Sequence, residues 1–348
     1  MAAKRSVSVI IPSYNRSDVL RYSVESVLNQ THPVMEVIIV DDGSTDDTSD
    51  QVERQREQNP LWHDRVRYIH QSNQGQSVAN NTGIANAKGD WLGFNANDDL
   101  WLPTKLEMQF HALEKFGDEY GVCFTDAWFM NNPYMKRSVF EASGKAKEQP
   151  FGVVEDATRL IGSGKHPIWM QTAIARTDLV RQVGGVDPNL RYSEDHDFMF
   201  RLSLATQFCF VSMPMVLIDR SPAEARHLGE SRNWHKDEFC LRMDQYRFEK
   251  QLRLSQGSSP ETQELGRRNL NRIHKAWANW HIERGEYRQA LRSISNAAKY
   301  GSSPSLAAKW LGVRLAPPLL RWAVARDKKH SVRLDRVSWQ ADDTTGVM

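Results

Sequence analysis

Phe94-Asn95-Ala96-Asn97-Asp98-Asp99-Leu100-Trp101-Leu102-Pro103 is the stretch whose reading decides the fold. It follows an apolar strand tail, Trp91-Leu92-Gly93-Phe94, and precedes a helical pattern that begins near Pro103. Two adjacent carboxylates on a turn at the carboxyl end of a strand have two uses. They can cap the next helix, whose first N–H groups lack partners. They can also hold a hard cation against a phosphate. The stretch alone favours the cap, and the rest of the chain favours the cation.

Working outward, Val7 to Ile11 is a β-branched run that ends at Pro12 and opens onto Ser13-Tyr14-Asn15-Arg16. Val19, Leu20, Val24, Val27 and Leu28 have helical spacing, and His32-Pro33 stops that helix. Glu36 to Val40 reads as a second buried strand before Asp41-Asp42-Gly43-Ser44-Thr45-Asp46. A helix from about Thr48 to Gln58, a third strand over Val66 to Ile69, the turn Asn73-Gln74-Gly75 and a helix through Ala79, Ile84 and Ala87 follow. Strand, loop and helix repeated in this way predict an α/β fold, a mostly parallel central sheet with helices on both faces. Ligands of such sheets bind at the carboxyl ends of the strands. Four turns rich in Asp, Asn and Ser therefore converge on one edge, which capping alone does not explain. No G-x-x-x-x-G-K-[ST] or G-x-G-x-x-G segment follows these strands, which argues against an ATPase or a dinucleotide enzyme.

The 348 residues are 40% hydrophobic and 25% charged, enough for a packed core and an appendage. The net charge of +2 conceals a split. Residues 241–348 carry 20 Lys+Arg against 10 Asp+Glu, and residues 1–240 carry 25 against 33. The expected division is a catalytic domain over 1–235 and an α-helical region over 236–348. Cys123, Cys209 and Cys240 are too few and too scattered for a disulfide framework, which suits a reducing compartment. Met1 to Arg5 runs into the first strand with no apolar leader, and no apolar run reaches a membrane span. A cytoplasmic location is the expectation.

The segments Val7–Arg16, Val40–Asp46 and Asn97–Pro103, with Val183-Gly184-Gly185-Val186-Asp187 and Ser193-Glu194-Asp195-His196-Asp197-Phe198-Met199-Phe200-Arg201-Leu202, resemble family 2 glycosyltransferases of the GT-A fold. The resemblance covers about residues 5–230. It implies inverting transfer of a sugar from a UDP- or dTDP-sugar to an acceptor hydroxyl on a polysaccharide, glycolipid or lipid-linked intermediate. It assigns the donor nucleotide to Pro12, Tyr14, Asn15, Arg16, Asp41, Asp42, Asn73, Gly75, Asn97 and Asp98. A carboxylate there can accept the N3–H of uracil or thymine. The Asp98-Asp99 turn matches the end of the family's Asp-x-Asp motif, which implies Mn²⁺ or Mg²⁺ on the diphosphate. His227 stands where related enzymes sometimes have a histidine near the metal. The Glu194-Asp195 pair matches the segment with the catalytic base, so Asp195 is expected to deprotonate the acceptor while Glu194 steers that base or the acceptor. Otherwise these acids only decorate a helix's first turn.

Two positions depart from the family pattern. Ala96 stands where the first Asp of Asp-x-Asp is usual, and Asn80 where Arg is frequent. They support an alternative in which the chain is a catalytically impaired, nucleotide-sugar-binding scaffold with a helical docking tail. In the middle of the chain, Trp128 and Trp169 are core aromatics or sugar-stacking faces, and Asn131 to Pro150 reads as a polar loop. In the tail, Trp277 through Leu291 reads as two helices around Gly285-Glu286. Leu306 to Trp322 mixes Trp, Leu and basic residues with Pro317-Pro318. That composition suits a helix on an anionic membrane surface or one covering the main core, and both stay open. Charge alone does not make a nucleic-acid binder, and no nucleic-acid partner is expected.

Overall fold

The computed structural model describes residues 5–130, 137–144, 149–164, 166–219 and 238–326. The chain divides into two compact units, Met1–Trp234 and His235–Met348.

The first unit opens with β1 (Val7–Ser13), β2 (Glu36–Asp41), β3 (Val66–His70) and β4 (Trp91–Phe94). Helices α1 (Ser17–Leu28), α2 (Thr48–Gln58), α3 (Pro60–Arg65) and α4 (Gln76–Asn86) connect them. Then come β5 (Leu100–Trp101), α5 (Lys105–Phe116), β6 (Tyr120–Met130), α6 (Val139–Ala142), β7 (Phe151–Val154) and α7 (Ala157–Gly162). The unit continues with β8 (Ala173–Arg176), α8 (Thr177–Gln182), α9 (Glu194–Ser203) and β9 (Gln207–Asp219). The strands form one sheet in the order β3-β2-β1-β4-β8-β6-β9-β5, with β7 on β9. The first four are mutually parallel, whereas β8, β5 and β7 run antiparallel to their neighbours.

Both faces are covered, and the alternation along each strand shows how. Val9, Ile11, Val37 and Ile39 pack with Leu20, Val24, Leu106 and Phe110 of α1 and α5. Ile10, Ile38 and Val40 point the other way, to Ala79 and Ile84 of α4 and Phe198 and Leu202 of α9. Buried on two sides, these strands read as continuous apolar runs. Helix α4 lies flush on β1, since a Cβ at Gly83 would come within 2.4 Å of Ile10 Cγ2. Trp169 packs against the core and meets Phe129 edge-on at 5.9 Å, as a core aromatic does.

The structure removes a reading that the rest of the sequence already disfavours, and it corrects one expectation. The Asp98-Asp99 turn does not cap a helix: it feeds β5, whose Leu100 and Trp101 pair with Leu217 and Val216 of β9, and α5 starts only at Lys105. The segment between Asn131 and Pro150 is not all loop, because Ser138 and Glu141 form a capping box on α6 and Phe140 is fully buried.

The second unit is helical: α10 (Glu238–Leu254), α11 (Pro260–Arg284), α12 (Tyr287–Lys299), α13 (Pro304–Leu315) and a further helix over residues 317–326. The α11–α12 hairpin turns at Gly285 (φ +76°), and Asn271 Nδ2 donates to Ala297 O and Gly301 O, both at 2.7 Å. Among the described residues, no helix is long and apolar enough to cross a membrane.

Candidate active site

The loops leaving β1, β2, β3 and β4 share one edge because those strands are parallel. Strand order reverses between β1 and β4, and a crevice for ligands forms outside the carboxyl ends at such a point.

On the β2 side, the two adjacent acids hold the loops in shape. Asp41 is 1% exposed; its Oδ1 accepts from Ser44 N at 2.8 Å and its Oδ2 from the Tyr68 hydroxyl. Burial, then that bond, push the Tyr68 phenol well above its ordinary range. Asp42 accepts from Gln71 Nε2 at 2.7 Å, Gln74 N at 2.9 Å and Gly75 N at 2.7 Å. It thereby fixes the Asn73–Gly75 turn and the start of α4, where unpaired N–H groups and the helix dipole favour an anion. Gly43 (φ +83°) lets the two loops meet: a Cβ there would lie 2.8 Å from Asn73 N. The β1 loop is clasped to the same structure. Asn15 N donates to Ser44 Oγ at 2.9 Å, and Asn15 Oδ1 accepts from Thr45 N at 2.7 Å. Pro12 and Gly75 are half-buried, while Tyr14 and Asn73 are exposed at the rim.

On the β4 side, Arg16 Nη1 stands 3.4 Å from Asp98 Oδ2, joining the two loops across the switch point. Asn97 and Asp98 are half-buried. Asp99 is different: it is 2% exposed, and its oxygens accept from Asp219 N at 2.8 Å and Gln171 Nε2 at 3.0 Å. Paired with Asp98 as a metal ligand on the sequence, it acts here as a brace between this turn and β9. Ala96 contributes its carbonyl to Ser23 Oγ at 2.7 Å. Among the described residues, no three His, Cys, Asp or Glu side chains converge as a metal cage. One half-buried carboxylate, Asp98, suits an ion held chiefly by phosphates and water, as Mg²⁺ often is. His227 lies outside the described residues.

The third component is the start of α9. Asp197 is fully buried and pairs with Arg201 Nε at 2.8 Å, while Arg201 Nη1 donates to Val183 O at 2.6 Å. Glu194 and Asp195 remain half-buried on the first turn, and Asp195 Oδ1 accepts from His196 N at 2.8 Å. Three contacts bring this turn to the sheet edge. Phe198 meets Phe94, the last residue of β4, edge-on at 5.5 Å. Asn81 exchanges two hydrogen bonds with the backbone of Val186, at 2.7 and 2.8 Å. Ser77 Oγ donates to Leu190 O at 2.7 Å. The segment leading into α9 is thus tied to the first turns of α4.

Several of these residues give no sign in the sequence. Asn81 looks like any polar helix residue beside Asn80, which is itself 2% exposed. His166 and His196 form a pair, Nε2 to Nδ1 at 3.1 Å. Ile168 N donates to His166 Nδ1 at 3.2 Å, so the network assigns the His166 proton to Nε2.

Comparison with known proteins agrees with this architecture. The model of the family "Glycosyl transferase family 2" matches residues 8–183. An uncharacterized glycosyltransferase of Nostoc sp. is 46% identical over 101 residues, 29% of this chain and 30% of that protein. The putative teichuronic acid biosynthesis glycosyltransferase TuaG of Bacillus subtilis is 43% identical over 110 residues, 32% of this chain and 42% of the relative. An uncharacterized glycosyltransferase of Rickettsia bellii is 42% identical over 109 residues, 31% of this chain and 15% of its own length. The chain thus matches less than half the length of each of these relatives. Among solved structures, S. aureus TarS 1–349 in complex with UDP-GlcNAc has a TM-score of 0.63 at 19% identity, covering 96% of this chain and 92% of that one. A mannosyltransferase of Pyrobaculum calidifontis in complex with GDP-Man and Mn²⁺ has a TM-score of 0.51 at 20% identity, covering 92% and 83%. These likenesses show the GT-A fold.

Proposed function

Because the chain belongs to glycosyl transferase family 2, we propose that it moves a sugar, with inversion, from a UDP- or dTDP-sugar to an acceptor hydroxyl on a polysaccharide, glycolipid or lipid-linked intermediate. The observation that carries this reading is the meeting of the β1, β2, β3 and β4 loops at the switch point, with the Glu194-Asp195 turn tied to them through Asn81 and Phe198.

In this mechanism Asp42 and the Asn15–Ser44 clasp form the nucleoside end, with a carboxylate oxygen accepting the N3–H of the base. Arg16 and the first turn of α4 face the diphosphate, where positive charge stabilises the leaving group. Asp98 would hold a divalent ion, Mn²⁺ or Mg²⁺, which supplies Lewis-acid stabilisation of the diphosphate when bound. Asp195 takes the acceptor's proton as its oxygen attacks the anomeric carbon. The bond from that carbon to the diphosphate oxygen breaks as the new one forms, and attack from the opposite face inverts the centre. Glu194, on the same turn, orients the acceptor. The buried free thiols of Cys123, Cys209 and Cys240 fit a reducing, cytoplasmic setting.

Donor turnover with and without Mn²⁺ tests the reading. Asp195→Asn should lower transfer by about 10²–10⁴-fold, the range for loss of a general acid–base group, with donor affinity kept. Asp98→Ala should weaken donor binding in the presence of metal. Wild-type rates in both variants would refute the assignment.

A further inference from the structure

The helical unit leaves an apolar, cationic surface near the end of the described chain. Each of its last two described helices buries a narrow face, Leu306 and Val313 from α13 and Val324 from residues 317–326. Helical spacing puts Leu311 and Leu315 on the side of α13 away from Leu306 and Val313, with the exposed Arg314 on the flank between. The same geometry puts Leu319, Trp322 and Arg326 away from Val324. Leu311 is 49% exposed, Leu315 79%, Leu319 70% and Trp322 62%. Leu315 and Leu319 are the two most exposed large apolar side chains among the described residues.

The charge carried by these two helices has one sign. Residues 304–326 contain Lys309, Arg314, Arg321 and Arg326 and no Asp or Glu. Arg314, Arg321 and Arg326 make no ion pair with a described carboxylate. Instead the Arg314 guanidinium lies 4.0 Å from the Trp310 ring centre and that of Arg326 lies 5.2 Å from Trp322. Leucines and a tryptophan interleaved with unpaired guanidiniums match an interface that is hydrocarbon below and anionic above. At 12 and 10 residues, these helices are too short to span a bilayer, so they can only lie in its plane.

We propose that α13 and residues 317–326 dock the protein on an anionic membrane surface, with Leu311, Leu315, Leu319 and Trp322 among the acyl chains and Arg314 and Arg326 at the headgroups. This goes beyond the transfer reaction and stands whether or not the chain turns over a donor.

Flotation of the full chain with vesicles tests it, using phosphatidylcholine alone or with about one-third phosphatidylglycerol. The wild type should float with the anionic vesicles and not with the neutral ones, and added salt should release it. Arg314→Gln with Arg326→Gln should weaken binding about 30-fold, about five-fold per charge. Leu315→Glu with Leu319→Glu, both at exposed positions, should abolish flotation while circular dichroism stays unchanged. Failure of the wild type to float at low salt overturns the proposal. So does flotation that neither salt nor the arginine variant weakens. Light scattering that shows a wild-type dimer split by the leucine variant, with no lipid binding, would instead assign the face to a second copy and overturn the proposal too.

Discussion

Lys105 opens α5 with no part of its side chain in water, and replacing it should stabilise the protein in a pH-dependent way. Its Nζ donates to Gln109 Oε1 at 2.9 Å and lies 3.8 Å from the Trp101 ring centre, and it pairs with no carboxylate among the described residues. Burial pulls its pKa down to about 7, against a small opposing influence of the Cys123 thiol. The unfolded chain holds this proton up to about pH 10.5, so from pH 7 to 10.5 the unfolded state binds more protons than the folded one. Stability must therefore rise with pH across that window, by up to about 1.4 kcal/mol per pH unit. Below pH 7 both states are protonated, and the folded state carries the whole cost, about 5 kcal/mol for the full shift.

Lys105→Met fills similar space and removes the charge. It also leaves Gln109 Oε1 without its donor, a loss of about 1–3 kcal/mol that does not vary with pH. At pH 6 the charge cost is the larger, so the variant should be more stable by about 2–4 kcal/mol. Between pH 6 and pH 9 that advantage should shrink by about 2.5 kcal/mol as the wild-type lysine deprotonates in the fold. Burial pushes the Cys123 thiol up, and because both proteins carry that thiol its contribution cancels in the difference between them. Urea denaturation of both proteins at the two pH values measures the difference directly. A variant-minus-wild-type difference that is flat with pH would refute the reasoning, whatever its absolute size.

Two further substitutions probe the scaffold of the site. Gly43→Ala would bring a Cβ to 2.8 Å from Asn73 N at φ +83°, so it should cost about 1–3 kcal/mol and raise the donor KM by displacing the Asn73–Gly75 turn; an unchanged melting temperature and KM would contradict the close approach. Arg201→Met removes the ion pair to the fully buried Asp197 and should cost about 3–5 kcal/mol in urea denaturation, and a loss under about 1 kcal/mol would show that this pair does little to hold α9.

The nucleotide half of the fold was legible because its signals are local. β2, α2 and β4 fall where apolar runs, helical spacing and turn residues put them, since these strands are buried on both faces and so read as continuous apolar runs. β5 and β9 were not legible, because they define each other across more than a hundred residues, Trp101 opposite Val216. β9 is further disguised by Pro214, which stands where its register against β6 slips between Thr125 and Asp126. The loss of β9 is also why Asp98-Asp99 resembled a helix cap in the sequence.

At the site, the sequence reveals which carboxylates gather at the edge but not what each one holds. Asp41, Asp42, Asp99 and Asp197 are all nearly or fully buried. The first three are occupied by donors from Tyr68, Gln74, Gly75, Gln171 and Asp219, and the fourth by Arg201. A buried carboxylate without such donors is costly, so these acids necessarily bind the loops together. Asp98, Glu194 and Asp195 keep partial contact with water, and the braces around them fix where they stand. Asp42 apart, which is also proposed to meet the donor base, the acids that shape the cleft are thus distinct from those proposed to act in it. Substitutions in the first group should therefore register in stability before rate, and substitutions in the second in rate before stability.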